Sequence, residues 1–288
     1  MSSTLVKAVC TLLALSISSL SHAEIRMNFG VYTSDKPTVM IKMFRPILNE
    51  LEQIMSDKLK QKVQIRIQVA NNYQKGIDSI SNAEVDFSRL GPASYIRSKQ
   101  ANPNIKLLAM ESNHGRKFFY GVICVPQSSD ISNVSQLKGK SFAFGNPLST
   151  IGRYLSQLYL MQHGIYSDDL SRFSYLKRHD QVGMSVAAMK FDAGSLKEGT
   201  FNKLVSKGVK IKEIAKFKNV TKPWVASSNL QKDLLIVLKS SLFEIPKSIV
   251  EKNLGKQGFL DAKDSDYDEI RKSIMINTQF NNNIRNDS

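Results

Sequence analysis

The feature that most limits what this chain can become is an alternation of two hydrophobic periods. Residues 24–32 (EIRMNFGVY) put Ile25, Met27, Phe29 and Val31 on one face, the two-residue period of a strand. Residues 39–59 then set Met43, Ile47, Leu51, Ile54 and Met55 at helical spacing against a charged far side, the pattern of an amphipathic helix. Strand period returns at 63–69 (VQIRIQV), helix period beyond Asn71-Asn72, and short strands are expected at 85–87 and 105–110. A chain that alternates in this way buries its apolar faces in an open, mostly parallel sheet covered by helices, and such sheets gather ligands at the carboxyl ends of their strands.

After Asn113-His114-Gly115 the alternation restarts. Residues 118–125 have the apolar density of a buried strand, 131–138 suggest a short helix, and 141–144 another strand. A helix runs through Leu155, Leu158, Tyr159 and Met161 to His163-Gly164; strand, helix and strand follow at 173–176, 179–189 and 191–194. Residues 209–217 read as a strand returning to the first half, 230–242 and 248–254 as closing helices, and 281–288 as a polar, disordered end. The expected α/β architecture has two lobes, 24–115 with 215–288 and 116–214, joined by strands near 119–125 and 209–217. No residue-level repeat relates them.

The first residues point to export. Lys7, an apolar run over 8–17 and Ser21-His22-Ala23 before Glu24 have the layout of a secretory signal peptide, with a run too short to span a bilayer. A soluble periplasmic protein starting at Glu24 is expected, because Cys10 lies inside the apolar run and is poorly placed for lipidation. Cleavage leaves Cys124 alone, so no internal disulfide can form. Stability then falls to the hydrophobic core, which a mature chain of roughly 265 residues is long enough to build.

Lysine and arginine outnumber aspartate and glutamate by 40 to 25, for a formal charge of +15. The cations are scattered and no basic block is interleaved with aromatics, which together with export argues against nucleic acid. Such a surface either speeds capture of small anions or keeps the chain soluble.

Residues 140–155 (KSFAFGNPLSTIGRYL) read as strand, break at Gly145-Asn146-Pro147, and a helix starting at Ser149-Thr150. Two hydroxyls at a helix start make either an ordinary N-cap or an anion site, since the first turn has unpaired N–H groups and a partial positive charge. An exported hydrolase is a weaker alternative. His114, His163 and His179 are well separated, and no metal-binding spacing or clear pair of carboxylates is visible, although Ser149 with His179 could imitate a nucleophile and its base.

Five stretches in order, 86–95 (DFSRLGPASY), 137–144 (LKGKSFAF), 146–155 (NPLSTIGRYL), 179–188 (HDQVGMSVAA) and 191–194 (FDAG), resemble the phosphate, phosphite and phosphonate substrate-binding proteins of bacterial ABC transporters. The resemblance runs from about Ile25 to Tyr267. It implies a two-lobed, type II periplasmic binding protein without a cofactor, a monomer that clamps a small phosphorus oxyanion between its lobes and delivers it to an inner-membrane ABC permease. Carried over by position, the ligand-binding residues are Tyr95, Ser149, Thr150, His179 and Asp192, with Thr33 in the first loop placed to join them. Asp192 would accept from a protonated ligand oxygen or an amino group, or else be a turn aspartate holding backbone N–H groups.

One departure bears on the ligand. Binders of aminoalkylphosphonates carry an acid just before the proline that precedes the last lobe crossing, where this chain has Lys222 before Pro223, and Glu198 lies near the other acidic position without matching it. A lysine there would repel a ligand ammonium, so an amine-free anion is expected, with Lys222 and Arg89 as cations able to face the cleft. A sensor subunit signalling to a membrane kinase is the alternative that the same residues allow.

Overall fold

The computed structural model describes residues 24–33 and 37–282. The expected signal peptide at 1–23, part of the first loop at 34–36 and the polar end at 283–288 lie outside the described residues.

In chain order the first half forms β1 (Ile25–Tyr32), α1 (Pro37–Leu59), β2 (Val63–Ala70), α2 (Tyr73–Ser81), β3 (Phe87–Arg89), α3 (Pro92–Ala101) and β4 (Lys106–Glu111). The face of β1 that the two-residue period picks out carries Met27, Phe29 and Val31, and these pack with Phe44, Ile47, Leu48, Leu51 and Met55 of α1. Ile80, Ala93 and Ile96 of α2 and α3 share a second cluster with Tyr32, Met110 and Val225. The central strands of the sheet are therefore covered on both sides, as the continuous burial of β3 and β10 requires.

The alternation then restarts with β5 (Phe118–Pro126), β6 (Ser141–Phe144), α4 (Leu155–Gln162), β7 (Arg172–Tyr175), α5 (His179–Ala187), β8 (Ala193–Lys197), α6 (Glu198–Ser206) and β9 (Ile211–Val220). The chain closes with β10 (Pro223–Ala226), α7 (Lys232–Glu244), α8 (Lys247–Leu254), β11 (Phe259–Leu260), α9 (Asp268–Met275) and α10 (Gln279–Asn282).

Two separate sheets result, ordered β11-β4-β10-β3-β1-β2 and β7-β6-β8-β5-β9. Parallel pairing is confined to strands joined by helices within a lobe, β2-β1-β3 and β7-β6-β8. The strands that bring the chain across between lobes, β5 and β10, pair antiparallel with both their neighbours, so each sheet is mixed rather than mostly parallel.

The return crossing lies further along than the sequence suggests. β9 stays paired with β5 from Ile211 to Val220, which keeps it in the second sheet and moves the lobe boundary from about 215 to Thr221-Lys222. The C-terminal segment also departs from the expected assignment to the first lobe. Tyr95 Oη donates to Asp264 Oδ1 (2.6 Å) on the first-lobe side, whereas Asn277 Nδ2 donates to Gln157 Oε1 (2.7 Å) on the second. Phe280 is fully buried against the rings of Phe144 and Phe173, at 5.7 and 5.9 Å. The end of the chain is thus a strap across both lobes.

Truncating Phe280 to alanine should destabilise the protein by about 3–5 kcal/mol, the usual cost of removing a buried phenyl ring. Urea unfolding measures this, and a loss under about 1 kcal/mol would mean that the strap is not part of the second lobe's core.

Candidate functional site

Tyr32, Arg89 and Lys197 end β1, β3 and β8, and all three face a cleft of about 110 Å³ between the lobes. A single water needs only roughly 10–15 Å³, so there is room for a small ligand of several atoms. Tyr73 and Gly91, with apolar Met40, Met43, Pro92 and Leu254, add to the first lobe's wall; Ser149, Thr150 and His179 stand on the second, and Asn219 and Lys222 come from the return crossing.

The turn after β6 presents the two hydroxyls. Gly145 N–H donates to the Gly152 carbonyl (2.8 Å), and a Cβ on either glycine would fall 2.9 Å from the other's Cα. Only glycines allow that approach. Thr150–Tyr154 then forms a single wide π-helical turn before α4, where the sequence suggests an ordinary helix start. Such turns are rare and concentrate at functional sites.

Ser149 is a cap, its Oγ accepting from Gly152 N–H at 2.9 Å, and it lines the cleft as well. Thr150 Oγ1 accepts from Ala93 N–H at 2.9 Å, across the cleft in the first lobe. Each hydroxyl has an acceptor position filled by a backbone N–H, which leaves its own proton to donate. Tyr73 of the opposite lobe lines the same cleft. The Thr150 contact ties the lobes to one another.

His179 opens α5 after a loop in which Leu176 N–H donates to Phe144 O (2.9 Å) and Lys177 takes a left-handed conformation (φ 66°). The ring lies beside Gly145, and its Nδ1 is buried without a hydrogen-bond partner. Burial, then Lys197 and Lys222, push the imidazole pKa down to about 3 against the pull of Asp180. At neutral pH it is uncharged.

Lys222 is anchored through its carbonyl, which accepts from Glu111 N–H at 3.1 Å. Burial pushes its ammonium well below the ordinary lysine range, Arg89 and Lys197 add to the effect, and Glu111 opposes it. Arg89 itself makes a buried fork to Glu111, at 2.8 and 3.2 Å, with its guanidinium 5.5 Å from the centre of the Phe44 ring. Burial alone would raise the Glu111 carboxyl; the charge and hydrogen bonds of Arg89 outweigh it and hold the group below the usual carboxylate range. No aspartate or glutamate is among the described residues that line the cleft.

Four residues expected from the sequence thus meet here: Ser149, Thr150, His179 and Lys222, joined by Arg89. Three do not. Tyr95 points away, its hydroxyl bound to Asp264 and its ring against Tyr267 at 4.9 Å. Asp192 precedes β8 at the amino end of the strand, opposite the cleft, and accepts from the backbone N–H and hydroxyl of Ser141 at 2.8 and 2.7 Å. That is the turn-aspartate alternative. Thr33 Oγ1 donates to the Asn71 carbonyl (2.9 Å) outside the cleft, and Glu198 pairs with Lys216 at 3.3 Å.

Sequence reasoning missed Tyr32, Tyr73, Asn219 and Lys197. The signal for Tyr32 and Lys197 was their place at strand carboxyl ends. Tyr32 Oη accepts from Gly91 N–H (2.7 Å) and lies 3.0 Å from Ser94 Oγ. Asn219 is buried at the end of β9 with its Oδ1 unpartnered, and nothing in its local sequence marks it.

Solved structures share this fold. The methylphosphonate complex of a Prochlorococcus marinus protein matches with a TM-score of 0.76 at 21% identity, covering 86% of this chain and 96% of that one. A binding-protein component of a phosphonate ABC transporter from Pseudomonas aeruginosa gives 0.76 at 17% identity, covering 89% and 87%. The aliphatic sulphonate binding protein of Escherichia coli gives 0.64 at 12%, covering 88% and 92%. At these identities the likeness concerns the fold, and with the interlobe cleft it defines the class of fold: the two-lobed fold of the periplasmic binding proteins.

The family follows from the sequence match. The model of the periplasmic substrate-binding proteins of phosphonate ABC transporters matches residues 29–267, and this chain belongs to that family. The family is a transporter component rather than an enzyme, and its place is the periplasm. A probable phosphite-binding protein of an ABC transporter from Prochlorococcus marinus is 23% identical over 181 residues, 59% of this chain; the match spans 57% of that relative's length.

The cations of the cleft make a stability prediction. A lysine whose folded pKa lies below its unfolded value destabilises the fold most at low pH, and the penalty fades as pH rises toward the unfolded pKa. Lys222→Met keeps the aliphatic stem and removes the charge, so it should raise the ligand-free melting temperature more at pH 7 than at pH 10. Thermal melts of both proteins across that range test it; an equal or growing difference toward pH 10 would show that Lys222 is not desolvated.

Proposed function

We propose that this protein is exported by its 1–23 leader and, as a monomer, captures a small, amine-free phosphorus oxyanion between its lobes for an inner-membrane ABC permease. The observation that carries this reading is the pair Ser149 and Thr150, whose oxygens each accept one backbone N–H, from Gly152 and Ala93, and whose hydroxyl protons can turn to donate to an anion. His179 adds a ring nitrogen without a partner, able to donate once protonated beside a negative charge. The methylphosphonate bound by the Prochlorococcus relative is of the proposed chemical class. Lys222 disfavours a ligand ammonium, since like charges about 4 Å apart cost several kcal/mol at intermediate dielectric.

Replacing Ser149 and Thr150 together by alanine removes two hydrogen bonds to a charged oxygen, each worth about 1.5–3 kcal/mol. If the effects add, affinity for methylphosphonate, phosphite or phosphate falls by roughly two to four powers of ten. Calorimetry on wild type and the double variant checks it. Unchanged affinity for whichever of these anions wild type binds would reduce Ser149 to a helix cap and Thr150 to a lobe contact.

A further inference from the structure

We infer that the cleft is built for a ligand with two anionic ends, a phosphorus oxyanion held by the second lobe and a carboxylate held by Lys222 at the return crossing. This rests on the proposed function and goes further, naming the tail of the ligand. The hydrogen-bond donors for the oxyanion, Ser149, Thr150 and His179, all belong to the second lobe. Lys222 lies instead between β9 and β10, tied by its carbonyl to β4 of the first lobe, and faces the same cleft from there.

The charges around Lys222 favour an anion beside it. Arg89 from β3 and Lys197 from β8 line the same cleft as Lys222, and no described aspartate or glutamate does; Arg89, Lys197 and the nearby Lys256 act on Lys222 as like charges, which Glu111 from β4 opposes. Glu111 is already engaged by the fork of Arg89, so its oxygens are committed. A ligand with one short neutral tail would leave the Lys222 side chain facing apolar atoms, whereas a carboxylate gives its ammonium a partner. The cleft, at about 110 Å³, has room for an oxyanion and a short tail. The unpartnered acceptor Asn219 Oδ1 does not select against an anion, because a half-turn of the amide presents its N–H₂ group instead.

The test compares three ligands by calorimetry on the purified protein: methylphosphonate, phosphonoacetate, and isobutylphosphonate, whose neutral tail has the shape of the carboxylate. Phosphonoacetate should bind about ten- to a hundredfold more tightly than isobutylphosphonate, the range of one charge-assisted hydrogen bond. In Lys222→Met, or Lys222→Gln if the first does not fold, that ratio should shrink to within about threefold. A wild-type ratio near one overturns the inference, and if methylphosphonate still binds, the transport reading stands. A ratio that survives loss of Lys222 also overturns it, since the carboxylate would then have another partner. If none of the three binds, nor phosphate nor phosphite, the reading of the cleft as a phosphorus-oxyanion site fails and the inference with it.

Discussion

The buried fork between Arg89 and Glu111 is the interaction on which the cleft depends. Taking both charges out of water costs several kcal/mol per ion, a cost that only good geometry can offset. Here two parallel bonds of 2.8 and 3.2 Å supply that geometry, and the fork joins the carboxyl ends of β3 and β4 across the intervening β10. Glu111 also fixes the crossing, since its N–H holds the Lys222 carbonyl. Without the Glu111 carboxylate, Arg89 would be left as a buried charge without its fork, a change that costs about 3–5 kcal/mol in a buried pair, and the repulsion among Arg89, Lys222 and Lys256 would lose its main opponent.

Closure has a different basis. Among the described residues the hydrogen bonds between the lobes at the cleft are few: Ala93 N–H to Thr150 Oγ1, and a long contact of 3.4 Å between Arg97 and Tyr154. Neutral hydrogen bonds contribute about 0.5–1.5 kcal/mol each after exchange with water. A ligand that touches both walls can therefore outweigh them and shift the balance between open and closed forms. The strap adds a third connection beside the crossings near 112–117 and 221–222, so opening must bend the C-terminal segment between its first-lobe contact at Asp264 and its second-lobe anchor at Phe280.

How much of this was legible depended on whether the information was local. The alternation of periods gave both lobes, and the rule that ligands gather at strand carboxyl ends located the cleft. Ser149 and Thr150 were readable because a strand, a break and a capped turn are contiguous in sequence. Asp192 misled because the order of motifs does not say at which end of a strand a residue falls. Tyr95 misled because it lies on a helix, where a small rotation decides between cleft and core; Asp264 and Tyr267, far along the chain, turn it to the core. β10 begins with a proline and has four residues, too short a run to be assigned as a strand from sequence. The strap was invisible because Tyr267, Ile270 and Phe280 are spread among charged and polar residues and find their partners in the tertiary fold.

The protonation states tie these strands of argument to binding. In the closed, ligand-free cleft, His179 and Lys222 are both pushed toward their neutral forms, chiefly by burial and then by neighbouring cations. An anion placed beside them reverses the cationic contribution, so both groups gain affinity for protons as the ligand gains donors. Binding and protonation then favour each other by the same free energy, whichever comes first. An ammonium on the ligand would act in the opposite sense and add to the repulsion that already depresses Lys222. The proposed selection against amines would therefore rest on the whole set of charges around Lys222 and on the absence of a carboxylate along the described cleft lining, not on one side chain alone.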